Sequence, residues 1–123
     1  MTQPLALVCY DRLLPGSQLV NRLQDLGYRV QTVPAPGLIA AAAVQSGALL
    51  VFADLQAAQS DVCATILQLK QSAATKHLPL IAFAADQHAD LQAAARAVGA
   101  IVVNDAMLLD HLPQLLDQAL QLD

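Results

Sequence analysis

The stretch Ala48-Leu-Leu-Val-Phe-Ala-Asp54 decides the fold: six uninterrupted apolar residues close on a carboxylate. The run is shorter than an ordinary buried helix and lacks the alternation of a strand with one wet face. It therefore reads as a strand covered on both sides, as in a parallel sheet. A run of the same make, Leu5-Ala-Leu-Val-Cys-Tyr-Asp11, also finishes on an aspartate. Leu80–Ala84, introduced by Pro79, and Ile101–Val103 continue the series, and Arg29–Val33 is a brief further strand. Between these runs the spacing turns helical. Leu19, Leu23 and Leu26 recur before Gly27, and the Ala-rich Leu38–Gln45 precedes Gly47. Asp61 is positioned to cap a helix with Val62, Ile66 and Leu69 on its inner face, reaching about residue 72. Ala89–Val98 is stopped by Gly99, and Leu112–Leu122 carries Pro113 in its first turn. The rhythm is (βα)5, which predicts a single α/β domain over residues 1–123 with a doubly wound, five-stranded parallel sheet.

Composition narrows the function. Apolar residues make up 56% of the 123 and charged residues 13%, against about 25% charged in ordinary globular chains. That balance excludes a disordered protein. With a net charge of −4 and six Lys plus Arg scattered along the chain, no basic stripe could neutralise a run of phosphates, so nucleic acid is not expected as a direct partner. Residues 30–53 carry no charge, yet Pro34, Pro36 and Gly37 at one end and Gln45-Ser46-Gly47 in the middle divide them. The stretch reads as two buried elements, not a membrane span. The N-terminus has no basic segment ahead of its apolar run, which predicts a cytoplasmic protein with Cys9 and Cys63 reduced. His77, His88 and His111 are scattered, without zinc-ligand spacing. No glycine-rich phosphate loop or Ser-His-Asp arrangement occurs, so no enzymatic turnover is expected.

Ligands of a doubly wound sheet bind beyond the carboxyl ends of its strands. The candidate residues there are Tyr10 and Asp11, Asp54, Ala84, Ala85 and Asp86, and Asn104 and Asp105. Two carboxylates converging on that edge could hold a hard divalent cation, and magnesium fits such an oxygen set. Each has a plainer reading too. Asp54 could cap its own turn, and Asp11 could cap a helix or pair with Arg12.

The order of elements, the LVCYD and LLVFADL strand ends, the passage LQLKQSAATKHLPLIAF and the passage AARAVGAIVV resemble the CheY-like response-regulator receiver domain over essentially the whole chain. The resemblance implies a flavodoxin-like fold, Asp54 as the phosphoacceptor position, Asp11 as the second acid of the strand-1 pair, and magnesium held by Asp11, Asp54 and Gln56. Asp11 precedes Gly27 by sixteen residues (27 − 11), the separation of the second acid, while a slip of one residue would make it the first. Three positions depart from the family. Tyr10 stands in place of an acid, which weakens magnesium binding; Ala84 stands in place of Ser or Thr; Asn104 stands in place of Lys. The loop after Asp54 reads Leu-Gln-Ala-Ala, without the family's Pro and Gly.

These departures predict a stand-alone pseudo-receiver acting through protein–protein interaction. The alternative is a working phosphoacceptor of a two-component phosphorelay, loaded on Asp54 by a histidine kinase with magnesium; a flavodoxin-like small-molecule domain ranks third. Partners implied by the resemblance are a histidine kinase or another signalling protein, or a second copy of the chain. The docking surface of receivers would here include Leu91, Ala95, Leu108, Leu109 and Leu116.

Overall fold

The computed structural model describes residues 4–10, 13–33, 38–55, 62–73 and 75–120. Five strands form one sheet: β1 (Leu5–Cys9), β2 (Arg29–Val33), β3 (Leu50–Asp54), β4 (Leu80–Ala84) and β5 (Ile101–Asn104). Their order is β2-β1-β3-β4-β5, and every pairing is parallel. The helices are α1 (Leu13–Asp25), α2 (Ile39–Ser46), α3 (Val62–Gln71), α4 (Ala89–Ala97), α5 (Asp105–Asp110) and α6 (Leu112–Leu120), with a 3-10 turn at Asp86–His88. The predicted strands are therefore all present. Residues 34–37, Asp61 and the last predicted helical residues, 121 and 122, lie outside the described residues.

Continuous apolar strands make sense because both sheet faces are covered. Leu7, Cys9, Val51, Ala53, Leu80 and Ala82 point to one face, where Ile39 and Ala43 of α2, Ile66 and Leu69 of α3 and Ala95 of α4 pack. Their alternate neighbours Ala6, Val8, Leu50, Phe52, Ile81 and Phe83 point to the other, against Leu19 and Leu23 of α1, Leu108 of α5 and Leu112 of α6. The edge strand β2 buries only Val33 fully, and polar residues blunt the rest of it.

Two sequence expectations change. The segment after β5 forms the separate helix α5, so the described chain has six α-helices where five were predicted. Asn104 starts it: the Asn side chain accepts a bond from the Met107 amide at 2.7 Å. Leu26 falls in the turn after α1 and is exposed, so the inner stripe of that helix is Leu19 and Leu23. The predicted stop at Gly47 holds: it takes φ 67°, and its N–H reaches the Ala43 carbonyl at 3.1 Å.

The passage from α3 to β4 is held by Thr75, whose buried hydroxyl donates to the Leu69 carbonyl at 2.7 Å. Carbonyls in the last turn of a helix have no partner within it, so this hydroxyl satisfies a group that would otherwise be stranded. Thr75→Val keeps the shape and removes the donor. It should destabilise the domain by about 1–3 kcal/mol in urea unfolding, and a cost near zero would show that water replaces the hydroxyl.

Candidate functional site

Strand order reverses between β1 and β3, both of which neighbour each other while their next connections run to opposite sides. A doubly wound sheet opens its ligand crevice at that switch point. Asp54 ends β3 there, and Cys9, the last residue of β1, is in register with Ala53. Tyr10 follows Cys9 directly, so it lies beside Asp54 at the rim. Ala84 and Asn104 are in register at the ends of β4 and β5. The fold thus brings Tyr10, Asp54, Ala84 and Asn104 to one edge of the sheet, as predicted. Asp11 and Gln56 lie outside the described residues.

Asp54 is 0% exposed, one of two polar side chains buried among the described residues. A phosphoryl donor must meet a carboxylate oxygen, and this conformation presents none to solvent. The half-buried Tyr10 ring packs with the α1 face of the core. It also lies directly on Gly16 of α1, where a Cβ would overlap the ring. Position 10 is therefore an anchored aromatic, not a group extended toward a cation. Ala84 is fully buried and contributes no hydroxyl.

Asn104 holds two contacts at once. Besides capping α5, its amide nitrogen donates to the Asp86 carboxylate at 3.0 Å. The partners fix the amide orientation, because the opposite flip would set oxygen against carboxylate and nitrogen against an N–H. One strand along, Gln92 of α4 reaches back to the Ala84 and Ala85 carbonyls at 3.1 and 3.4 Å. Neither Gln92 nor Asp86 as an Asn104 acceptor was foreseen from sequence. Both are side-chain contacts made across a turn, with no local pattern to announce them.

A magnesium ion takes near-octahedral oxygen ligands and commonly rests on one or two carboxylates. Among the described residues no group of three His, Cys, Asp or Glu side chains could hold a metal. Asp54 is the carboxylate the described switch point supplies, and the side chain beside it at position 10 is a phenol packed on α1. Of the three side chains expected to hold magnesium, the described residues thus supply Asp54, with no acid beside it at position 10.

The docking residues expected from sequence are not an outward patch. Ala95, Leu108 and Leu116 are buried, and Leu91 and Leu109 are half-buried against the core. Among the described residues, Met107 of α5 is the large apolar side chain of that region that reaches solvent (46% exposed), while Val44 (59%) and Leu38 (51%) at α2 are the most open. No helix among the described residues is long and apolar enough to cross a membrane.

A five-stranded parallel sheet in 2-1-3-4-5 order is the flavodoxin-like doubly wound fold, here with an aspartate ending the third strand at its switch point. Solved structures agree. A candidate response regulator from Chloroflexus aurantiacus superposes with a TM-score of 0.87 at 17% identity, over 97% of this chain and 98% of that one. The receiver domain of NtrX from Brucella abortus gives 0.82 at 22% identity, over 96% and 99%. The chemotaxis response regulator CheY4 of Vibrio cholerae gives 0.75 at 19% identity, over 92% and 98%. No family model and no curated protein matches the sequence. The chain has the fold of response-regulator receiver domains.

Proposed function

We propose that this chain is a receiver-fold signalling module, a pseudo-receiver, that works in the cytoplasm by binding a protein partner and carries out no chemical turnover. The observation that carries the reading is the engagement of Asn104: at the position where the resemblance expects a lysine, the side chain caps α5 and donates to Asp86. Phosphoryl transfer needs positive charge or donors aimed at the oxygens where charge develops. The buried Asp54, the methyl of Ala84 and an uncharged amide turned to its own loop supply little of that. Magnesium would rest on Asp54 with Asp11 and Gln56, without an acid at position 10, and would bind weakly. The partner is a histidine kinase, another signalling protein, or a second copy of the chain.

A working phosphoacceptor is the second reading, favoured by the place of Asp54 at the switch point. Intact mass after incubation with magnesium and a small-molecule phosphoryl donor separates the two. The folded wild type is expected to gain nothing. Gain of one phosphoryl group by the wild type and not by Asp54→Asn would overturn the pseudo-receiver and make Asp54 a switch.

A further inference from the structure

We propose that the bond between Asn104 and Asp86 makes the β4–α4 turn and the start of α5 a single mechanical unit held in one conformation. The inference rests on the reading of the domain as a module that does not switch, and adds the device that keeps it in one state. Three contacts compose it. Gln92 holds the Ala84 and Ala85 carbonyls from the α4 side, which fixes the backbone where the chain leaves β4. The 3-10 turn that follows is closed by the His88 amide on the Ala85 carbonyl at 3.0 Å. Asp86, the first residue of that turn, receives the Asn104 amide, while the same Asn side chain receives the Met107 amide.

One side chain thus joins two segments eighteen residues apart in sequence. Their strands are neighbours, with Ala84 and Asn104 in register, so the bridge spans only the gap between adjacent strand ends. A hydrogen bond to a carboxylate is among the stronger kinds, and the covalent geometry of Asn couples its donor to its acceptor. Motion of the turn pulls on Asn104 Nδ2, and that rotates the oxygen away from the Met107 amide. The arrangement needs no ligand or phosphoryl group to form. The turn leaves β4, the strand next to the one that Asp54 ends, so a locked unit there holds the β4 side of the site in one shape.

Amide hydrogen exchange reads the unit at its two ends, at His88 for the turn and at Met107 for the cap. Asn104→Asp retains an oxygen for the Met107 amide and sets a second carboxylate against Asp86, so it keeps the cap and opens the bridge by repulsion as well as by loss of the donor. His88 exchange should accelerate about three- to tenfold while Met107 remains protected. Asp86→Ala breaks the bridge from the other side at an exposed position and leaves the Asn104 side chain intact. Met107, in the other segment, should then exchange about three- to tenfold faster. Val8 and Phe52 amides in the sheet serve as the fold control and should keep their wild-type rates. If Asp86→Ala affects only residues 86–88, or Asn104→Asp leaves His88 at its wild-type rate, the two segments are independent and the proposal fails. Phosphorylation of Asp54 in the mass experiment would instead overturn the non-switching reading, and the exchange result would stand apart from it.

Discussion

Truncating Phe52 to alanine is expected to lower the unfolding free energy by about 3–5 kcal/mol, out of roughly 5–15 kcal/mol for a domain of ordinary stability. Phe52 lies in the central strand β3, in register with Val8 on one side and Ile81 on the other, and is fully buried. Its ring and that of Phe83 are the two phenylalanine side chains of the chain, both in the cluster facing α1, α5 and α6. The remaining neighbours are mostly aliphatic and are fixed to a sheet backbone bonded on both sides, so little can move in to fill the hole. The cavity would open two residues from Asp54, on the side of the sheet to which alternation also turns that acid. Phe52→Leu keeps most of the volume and should cost less than about 1.5 kcal/mol. Urea unfolding followed by far-ultraviolet circular dichroism measures both: the midpoint should fall steeply for alanine and slightly for leucine, with the denaturant slope unchanged. An alanine cost below about 1 kcal/mol would mean that the ring does not fill this core.

The same strand shows why the fold could be read from sequence. Leu50 to Ala53 are all buried because helices cover both faces of the sheet, and a parallel sheet covered in this way writes itself as an unbroken apolar run. Glycine stops such as Gly47 marked the helix ends because a left-handed residue is needed there. The site was legible in place but not in detail. Asp54, Ala84 and Asn104 could be assigned to strand ends from the runs that precede them. What Asn104 does there could not, since an asparagine after a strand is equally suited to a ligand and to a helix cap, and α5 has only six residues and one buried side chain to signal it. Gln92 and Thr75 act on carbonyls seven or eight and six residues away through turns whose path no periodicity records. The docking surface came from the resemblance, which names elements and not the direction of each side chain. Period 3.6 finds the apolar stripe of a helix, and that stripe faced the sheet at Ala95, Leu108 and Leu116.

Gly16→Ala should show that the aromatic at position 10 is part of the architecture and not merely a position without an acid. In a helix interior alanine is ordinarily preferred to glycine by about 1 kcal/mol, so an open site would make this substitution stabilising. Here Gly16 is buried in α1, and its added methyl would fall within the Tyr10 ring. The ring is attached one residue beyond β1 and packs on the core beside that helix, so it can retreat only by leaving its contacts. The expected result is destabilisation by about 1–3 kcal/mol. In a Tyr10→Ala background the obstacle is gone, and the same Gly16→Ala change should become neutral or stabilising by up to about 1 kcal/mol. A reversal of sign between the two backgrounds, measured as a double-mutant cycle, is the signature of direct coupling. Equal costs in both would place the ring elsewhere. Reversal would mean that glycine at 16 and tyrosine at 10 are matched, so that placing an acid at position 10 removes a packed ring beside Asp54 as well as adding a charge. A carboxylate there would therefore have to offset lost core contacts before it could begin to assemble a cation site.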